Sequence, residues 1–396
     1  MKKNLFTILF SVISLHALAQ ADTLTAEPLP WPQNLQARID SIIDTPLLKT
    51  TQLGLMVYDL TADSALYVHG HRQRLRPAST MKLLTAVTAL ANLGPDYQLK
   101  TSLYHTGTIS GGTLRGDIVC VGGMDPMFDR ADMKAFVSRL RHIGIDTIRG
   151  HIIPDSSFKD GNLLGEGWCW DDDNEPLTPL LYERRDNFVA ALAQELLSDG
   201  VVIVDTTVQT LMPQRRYVTN RAHTLADVLP QMMKESDNLY AESVFYQLAA
   251  PTDGRTPSTA KAAASRVRQT IQRAGLQPGE YRVADGSGLS LYNYVTAEML
   301  TLVLRHAYRN RQVYGQLYPT LPVAGVDGTL KSRMRKTAAE GNVHAKTGSV
   351  TAVSSLAGYC TASNGHVLCF TIINQGVTRM SDGRQMQDQI CEAMCQ

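Results

Sequence analysis

A hydroxyl and an amine with the makings of a nucleophile and its base stand three residues apart in the stretch Pro77-Ala78-Ser79-Thr80-Met81-Lys82. Turn-forming residues give way there to an apolar helical pattern through Val87 and Leu90, so Ser79 opens a helix. A residue at i+3 shares a helical face, which brings the Lys82 amine within reach of the Ser79 hydroxyl. A lysine that is desolvated and set near another cation gives up its proton more readily, and can then activate a serine that is otherwise a poor nucleophile. Serine is also a favoured helix N-cap, so on this stretch alone capping is the stronger reading.

Two more short motifs lie downstream. Ser236-Asp237-Asn238 falls in a turn between helical patterns, and Lys346-Thr347-Gly348-Ser349 falls in a strand-like run over 343–350. A serine–lysine helix start, an inter-helix Ser-Asp-Asn turn and a Lys-Thr-Gly strand, in that order, form the motif set of serine β-lactamases and penicillin-binding proteins. Longer strings are more specific: Lys234-Glu235-Ser236-Asp237-Asn238-Leu239-Tyr240-Ala241-Glu242, Asp285-Gly286-Ser287-Gly288-Leu289-Ser290, Gly325-Val326-Asp327-Gly328-Thr329-Leu330 and Gly122-Gly123-Met124-Asp125-Pro126. On these residues the chain resembles the low-molecular-mass class C penicillin-binding proteins of the peptidase S13 family, serine-type D-alanyl-D-alanine carboxypeptidases and endopeptidases. The likeness spans nearly all of the chain beyond its N-terminal segment.

The resemblance implies an α+β fold of the penicillin-binding transpeptidase and β-lactamase type, an antiparallel sheet flanked by helices, with a smaller α/β domain inserted. It also implies that Ser79 attacks the carbonyl of the penultimate D-alanine with Lys82 as general base, while the N–H groups of Ser79 and Ser349 hold the oxyanion. Ser236 passes a proton to the leaving amine and Asn238 orients the substrate amide. Lys346, with the Thr347 and Ser349 hydroxyls, binds the terminal carboxylate and keeps Lys82 neutral by like-charge proximity. Gly348 lets the substrate backbone approach the strand. The implied partners are peptidoglycan stem peptides, with β-lactam antibiotics as inhibitors; no metal or organic cofactor is expected.

Two departures bear on substrate choice. Relatives often carry arginine after the Asp-Gly-Ser-Gly-Leu-Ser string, where it helps to bind a diaminopimelate side-chain carboxylate; Leu291 stands there instead. Their inserted domain also has a Trp-x-Asp segment, for which Trp170-Asp171-Asp172-Asp173 is the counterpart and Asp172 the best match for a ligand of the substrate amine. Exposed acidic runs are more often simply solvated. A β-lactamase would require a carboxylate for deacylation, usually in a Glu-x-x-x-Asn segment, and nothing over 239–288 fits. A non-catalytic peptidoglycan-binding protein of the same fold is the other reading, and the three intact motifs argue against it.

The elements that position these residues follow from periodicity. Strands are predicted at 53–60 and 66–69, β-rich pieces at 101–104, 113–121 and 147–153, and helices at 131–143 and 187–197. Helices at 259–274 and 296–309 precede the final strands at 343–350, 354–361 and 365–373 and a helix at 383–394. Because Ser79 and Ser236 must share one cleft, the intervening module is an insertion: residues 20–96 and 223–396 form a discontinuous peptidase domain, and 97–222 the inserted one.

Lys2 and Lys3, an apolar run from Leu5 to Leu15 and Ala17-Leu18-Ala19 read as a signal peptide over 1–19, placing the mature protein in the periplasm or otherwise outside the cytoplasm. An uncleaved anchor is the competing reading, for which the apolar run is short. No cysteine stands at the expected cut to carry a lipid, and no later apolar run is long enough to span a bilayer. Removing 1–19 takes the formal charge from +1 to −1, which leaves no basic field for nucleic acid. The six cysteines allow disulfides. If Asn364-Gly365 makes a two-residue hairpin turn, Cys360 and Cys369 face each other across it. Cys391 and Cys395 share a helix face, and no Cys-x-x-Cys or His-x-x-x-His pattern marks a zinc site.

Overall fold

The computed structural model describes residues 29–172, 174–204, 214–251 and 256–396, so the signal segment at 1–19 lies outside the described residues. Helix α1 (Gln33–Ile43) buries Leu35 and Ile39, one turn apart. Strand β1 (Gln52–Asp59) is buried along nearly its whole length, as a central strand covered on both faces must be, whereas β2 (Ser64–His69) is mostly exposed. Helix α2 (Met81–Asn92) has every residue from Met81 to Leu90 buried. It is buried all round because it runs through the interior.

Residues 98–224 build two four-stranded sheets. Their elements are β3 (Gln98–His105), β4 (Thr108–Ser110), β5 (Thr113–Arg115), β6 (Ile118–Val121), α3 (Arg130–His142), β7 (Thr147–Arg149), β8 (Ile152–Asp155), α4 (Phe188–Ser198), β9 (Val202–Val204) and β10 (Arg216–Thr224). The sheet orders are β10-β3-β6-β8 and β4-β5-β7-β9. The β-rich runs 113–121 and 147–153 divide at Gly116 and Gly150 and pass from one sheet to the other. Crowding at the crossing explains the glycines: a Cβ on Gly116 would lie 2.3 Å from the Thr106 carbonyl oxygen, and one on Gly150 2.2 Å from that of Gly116. Phe128, Phe136 and Phe188 interlock beneath these sheets, with ring centroids 5.0 to 6.3 Å apart.

The remaining elements are α5 (Leu225–Lys234), α6 (Asn238–Gln247), α7 (Ala260–Arg273), α8 (Ala297–Arg309), α9 (Arg311–Leu317), β11 (His344–Val350), β12 (Val353–Thr361), β13 (Val367–Gln375) and α10 (Met380–Cys395). Thr224 and Asp227 close a capping box at the start of α5, which fixes where the chain leaves β10. Strands from both ends of the chain form one antiparallel sheet of order β11-β12-β13-β1-β2. On one face it shares a core with α2, α5, α6, α7 and α8; on the other it packs against α1 and α10. The protein is therefore α+β, with an antiparallel sheet flanked by helices.

The β12–β13 hairpin corrects the cysteine reading. Its loop has three residues, Ser363-Asn364-Gly365, with Gly365 at φ 84° and the Gly365 N–H donating to the Ala362 carbonyl at 2.9 Å. One extra loop residue slips the register by one, which turns the two thiols to opposite faces. Cys360 pairs with Leu368 and faces α10, while Tyr359 pairs with Cys369, which faces α8. Mass spectrometry of an unreduced digest is expected to find no peptide crosslinked between Cys360 and Cys369; recovering that crosslink would refute the register.

Candidate active site

Ser79 sits in a 3-10 turn, Ala78–Thr80, that runs directly into α2. The turn is tied to the sheet: the Thr80 and Ser355 hydroxyls both donate to the Pro77 carbonyl, at 2.7 and 2.6 Å. No side chain caps α2, which removes the capping explanation of Ser79. Its hydroxyl instead lies 3.0 Å from Lys82 Nζ. The same amine lies 2.7 Å from Asn238 Oδ1 and 2.8 Å from the Ser287 carbonyl oxygen.

Between α5 and α6 the chain turns through Ser236 at φ 64°, a left-handed conformation that costs a non-glycine residue roughly 1 kcal/mol or more. Asp237 caps α6 by accepting from the Tyr240 N–H at 3.2 Å, which sets Asn238 as the first helical residue with its amide toward Lys82. Arg184 pairs with Asp237, and Asn174 Oδ1 accepts from Asn238 Nδ2 at 3.0 Å, so residues between β8 and α4 brace this turn. From β11, the Lys346 amine donates to Ser236 Oγ and to the Thr347 carbonyl, each at 2.8 Å. Ser79, Lys82, Ser236, Asn238 and Lys346, far apart in sequence, thus form one polar cluster.

Both lysines are fully buried. Loss of water brings the Lys82 ammonium down to about 8, against the opposing pull of Asp285, Glu242 and Asp237. Burial, and then the charge of Lys82, holds Lys346 well below the ordinary lysine range. The partners of Lys82 suit its neutral form: two N–H groups serve the Asn238 and Ser287 oxygens, which can only accept, and the lone pair faces a hydroxyl that can donate.

Sequence reasoning missed the support behind Lys82. Glu242, one helical turn past Asn238 on α6, accepts from the Gly286 and Ser287 N–H groups at 3.0 and 2.7 Å, aiming the Ser287 carbonyl at Lys82. Asp285 gathers the N–H groups of Gly288 and Ser290, the Asn293 amide and the Trp168 indole, at 2.6 to 2.9 Å. Burial, followed by the nearby Asp285, pushes the Glu242 carboxyl up to about 8. The i+4 spacing from Asn238 to Glu242 was the available signal, but what Glu242 touches depends on a loop more than forty residues on. Gly288 (φ 82°) lies against the nucleophile turn, where a Cβ would fall 1.9 Å from the Ala78 carbonyl oxygen.

The cleft above this cluster is a cavity of about 380 Å³, lined by Ser79, Ser236, Thr347, Gly348 and Ser349 together with Thr329, Ser332, Arg333, Ser354 and Arg384. Two clefts elsewhere are larger, about 710 and 660 Å³, but none of the three motifs lines them. Thr347 Oγ1 is hydrogen-bonded to Thr329 Oγ1 at 2.7 Å. Gly348 is needed for an intramolecular reason: a Cβ there would lie 2.2 Å from Ser355 Oγ and 2.9 Å from the Ser79 nitrogen. That glycine lets β11 lie against the nucleophile turn. Asp172 is not brought into this cleft; its carboxylate accepts from the Cys169 N–H at 2.7 Å and closes a local turn. At Leu291, where arginine was the alternative, the carbonyl accepts from Arg76 Nε at 3.1 Å.

Glu242→Ala strands the Gly286 and Ser287 N–H groups in the interior, at about 1 to 3 kcal/mol each, and is expected to lower stability in urea by several kcal/mol. Glu242→Gln keeps an acceptor and should lose much less; equal melting of the two variants would remove the supporting role.

The sequence matches the D-Ala-D-Ala carboxypeptidase 3 (S13) family over residues 35–182 and 181–396. It is 27% identical to a D-alanyl-D-alanine carboxypeptidase from an Actinomadura species, covering 86% of this chain and 81% of that protein. It is 30% identical to a Mycobacterium tuberculosis carboxypeptidase over 76% of this chain and 71% of that one. In fold it is similar to penicillin binding protein 4 from Haemophilus influenzae, with a TM-score of 0.79 at 22% identity, covering 91% of this chain and 99% of that one. That protein has also been solved in complex with a β-lactam. With the family matched along nearly the whole described length and its serine, lysine and asparagine side chains converging on one cleft, the chain belongs to the D-Ala-D-Ala carboxypeptidase 3 (S13) family and is a serine DD-peptidase.

Proposed function

We propose that the reaction runs through an acyl-enzyme on Ser79, formed from peptidoglycan stem peptides ending in D-Ala-D-Ala. The observation that carries this reading is the three-point holding of the Lys82 amine, by Ser79 Oγ, Asn238 Oδ1 and the Ser287 carbonyl. Lys82 takes the Ser79 proton as Oγ attacks the carbonyl of the penultimate D-alanine. The N–H groups of Ser79 and Ser349 receive the oxyanion. Ser236, bonded to Lys346, delivers a proton to the nitrogen of the departing D-alanine as the C–N bond breaks, and takes its replacement from Lys82, which is thereby neutral again. Water, deprotonated by Lys82, then releases the acyl group and restores Ser79. A cross-bridge on the carboxyl side of a D-alanine presents the same bond, so endopeptidase cleavage needs no additional group.

β-Lactams fit the same site as acylating pseudosubstrates; a related fold, the Bdellovibrio bacteriovorus endopeptidase Bd3459, has been solved acylated by penicillin G. Rapid β-lactam hydrolysis is not favoured, because no carboxylate lines the described cleft and Glu242 and Asp285 are occupied by backbone N–H groups below Lys82. The small sheets of residues 98–224 we assign to an inserted domain spanning 97–222, which limits the cross-linked peptides that reach the cleft. Among the described residues no helix is long and apolar enough to cross a membrane. A peptidoglycan substrate supports a periplasmic or equivalent exported location.

Ser79→Ala is expected to abolish covalent labelling by a fluorescent penicillin, and Lys82→Ala to slow acylation by roughly a hundredfold or more while binding persists; labelling of the serine variant would identify another nucleophile. The base form of Lys82 gains population as pH rises, so the acylation rate of the unmodified protein should climb roughly tenfold per pH unit at low pH and level off above about 8. A flat profile from pH 5 to 9 would contradict a lysine base.

A further inference from the structure

The cleft holds a cation that the three motifs do not include. Arg384, in the first turns of α10, is exposed and lines the cavity beside Ser349 and Ser354. Its place is fixed by the fold. Gly383 packs against the sheet, where a Cβ would stand 3.1 Å from that of Ser354, and Gln387 donates to Ser354 Oγ at 3.0 Å. Arg333 holds the main chain of Arg384 by donating to its carbonyl at 3.3 Å, while its own charge is met by Asp388 at 2.6 Å. The Arg384 guanidinium itself has no hydrogen-bond or ion-pair partner among the described residues.

The charge balance around it calls for an anion. No carboxylate lines the cleft, and its walls near Arg384 are the hydroxyls of Thr329, Ser332, Thr347 and Ser349. The amine of Lys346 is fully buried and already turned to Ser236 Oγ and the Thr347 carbonyl, leaving it poorly placed to be the counter-ion of an incoming carboxylate. A guanidinium presents planar, paired donors that match a carboxylate, and it stays charged across the working pH range.

We propose that Arg384 is a specificity-determining residue that binds the carboxylate of the leaving amino acid, α to the amine released from the scissile bond. The assignment rests on the DD-peptidase reading of Ser79 and Lys82. It restricts the leaving group to an α-amino acid with a free carboxylate: a terminal D-alanine, or the corresponding centre of a cross-linking diamino acid. Hydroxyls of Thr347 and Ser349 orient this carboxylate, and Arg384 supplies the charge that Lys346 cannot.

The test compares the full mature chain with Arg384→Ala, Arg384→Gln and Arg384→Lys on two matched acyl-D-Ala-D-Ala peptides, one ending in carboxylate and one in carboxamide. For the carboxylate peptide, Arg384→Ala and Arg384→Gln should raise KM roughly tenfold or more with kcat changed much less, and Arg384→Lys should recover part of the loss. On the carboxamide peptide the variants and the unmodified protein should be nearly equal, so the preference for carboxylate collapses. Unchanged KM for the carboxylate peptide, or an equal loss on both peptides, overturns the role of Arg384 while leaving the Ser79 mechanism standing. Failure of the unmodified protein to cleave either peptide, with no adduct on Ser79, overturns the DD-peptidase reading and this proposal together.

Discussion

Desolvation of two neighbouring lysines sets the terms for the rest of this molecule. Lys82 and Lys346 are both fully out of water, which lowers the proton affinity of each, and the charge of Lys82 lowers that of Lys346 further. Isolated buried charge is expensive, and a side chain in that situation releases its proton instead. Neutral Lys82 keeps its place only if each of its atoms finds a partner, and three separate parts of the chain supply them: the nucleophile turn, the start of α6 and the 285–290 loop. Burial also pushes the Glu242 carboxyl up, which weakens its pull on the Lys82 proton.

Local strain appears where these parts meet. Ala78 and Ser236 adopt left-handed backbone at φ 49° and 64°, and Gly288 and Gly348 each stand where a Cβ would strike the nucleophile turn. Such conformations persist only when surrounding contacts over-determine them. Here the contacts are the Pro77 carbonyl taken by two hydroxyls, the Asp237 cap braced by Arg184, and the carboxylates of Glu242 and Asp285.

Much of the site was legible in the sequence because its chemistry is carried by short spacings. Ser79 and Lys82 are one helical turn apart, Asp237 announces a cap that sets Asn238, and Lys346 follows a run of strand periodicity. What stayed hidden depends on pairs distant along the chain. Nothing near Glu242 reveals that it grips Gly286 and Ser287, and nothing near Gly348 shows that its missing side chain makes room for Ser79. The likeness of a short segment points to Asp172, but its carboxylate is used by the Cys169 N–H, and it is Asn174 that reaches Asn238. The fold shows the same division. Alternation placed the strands of the main sheet well, but one loop residue reversed the faces of Cys360 and Cys369, and the glycines at 116 and 150 moved strands between sheets.

The central claim is that the fold lowers the proton affinity of the Lys82 amine far enough for its base form to be drawn on near working pH, and turns that amine toward the Ser79 hydroxyl. Nuclear magnetic resonance of protein carrying isotope-labelled lysine side chains, with Lys82→Arg to assign the signal, reads that charge directly. The account predicts a Lys82 signal titrating near pH 8, well below the exposed lysines. A Lys82 resonance that stays in its charged position beyond about pH 10, the ordinary lysine range, would contradict it.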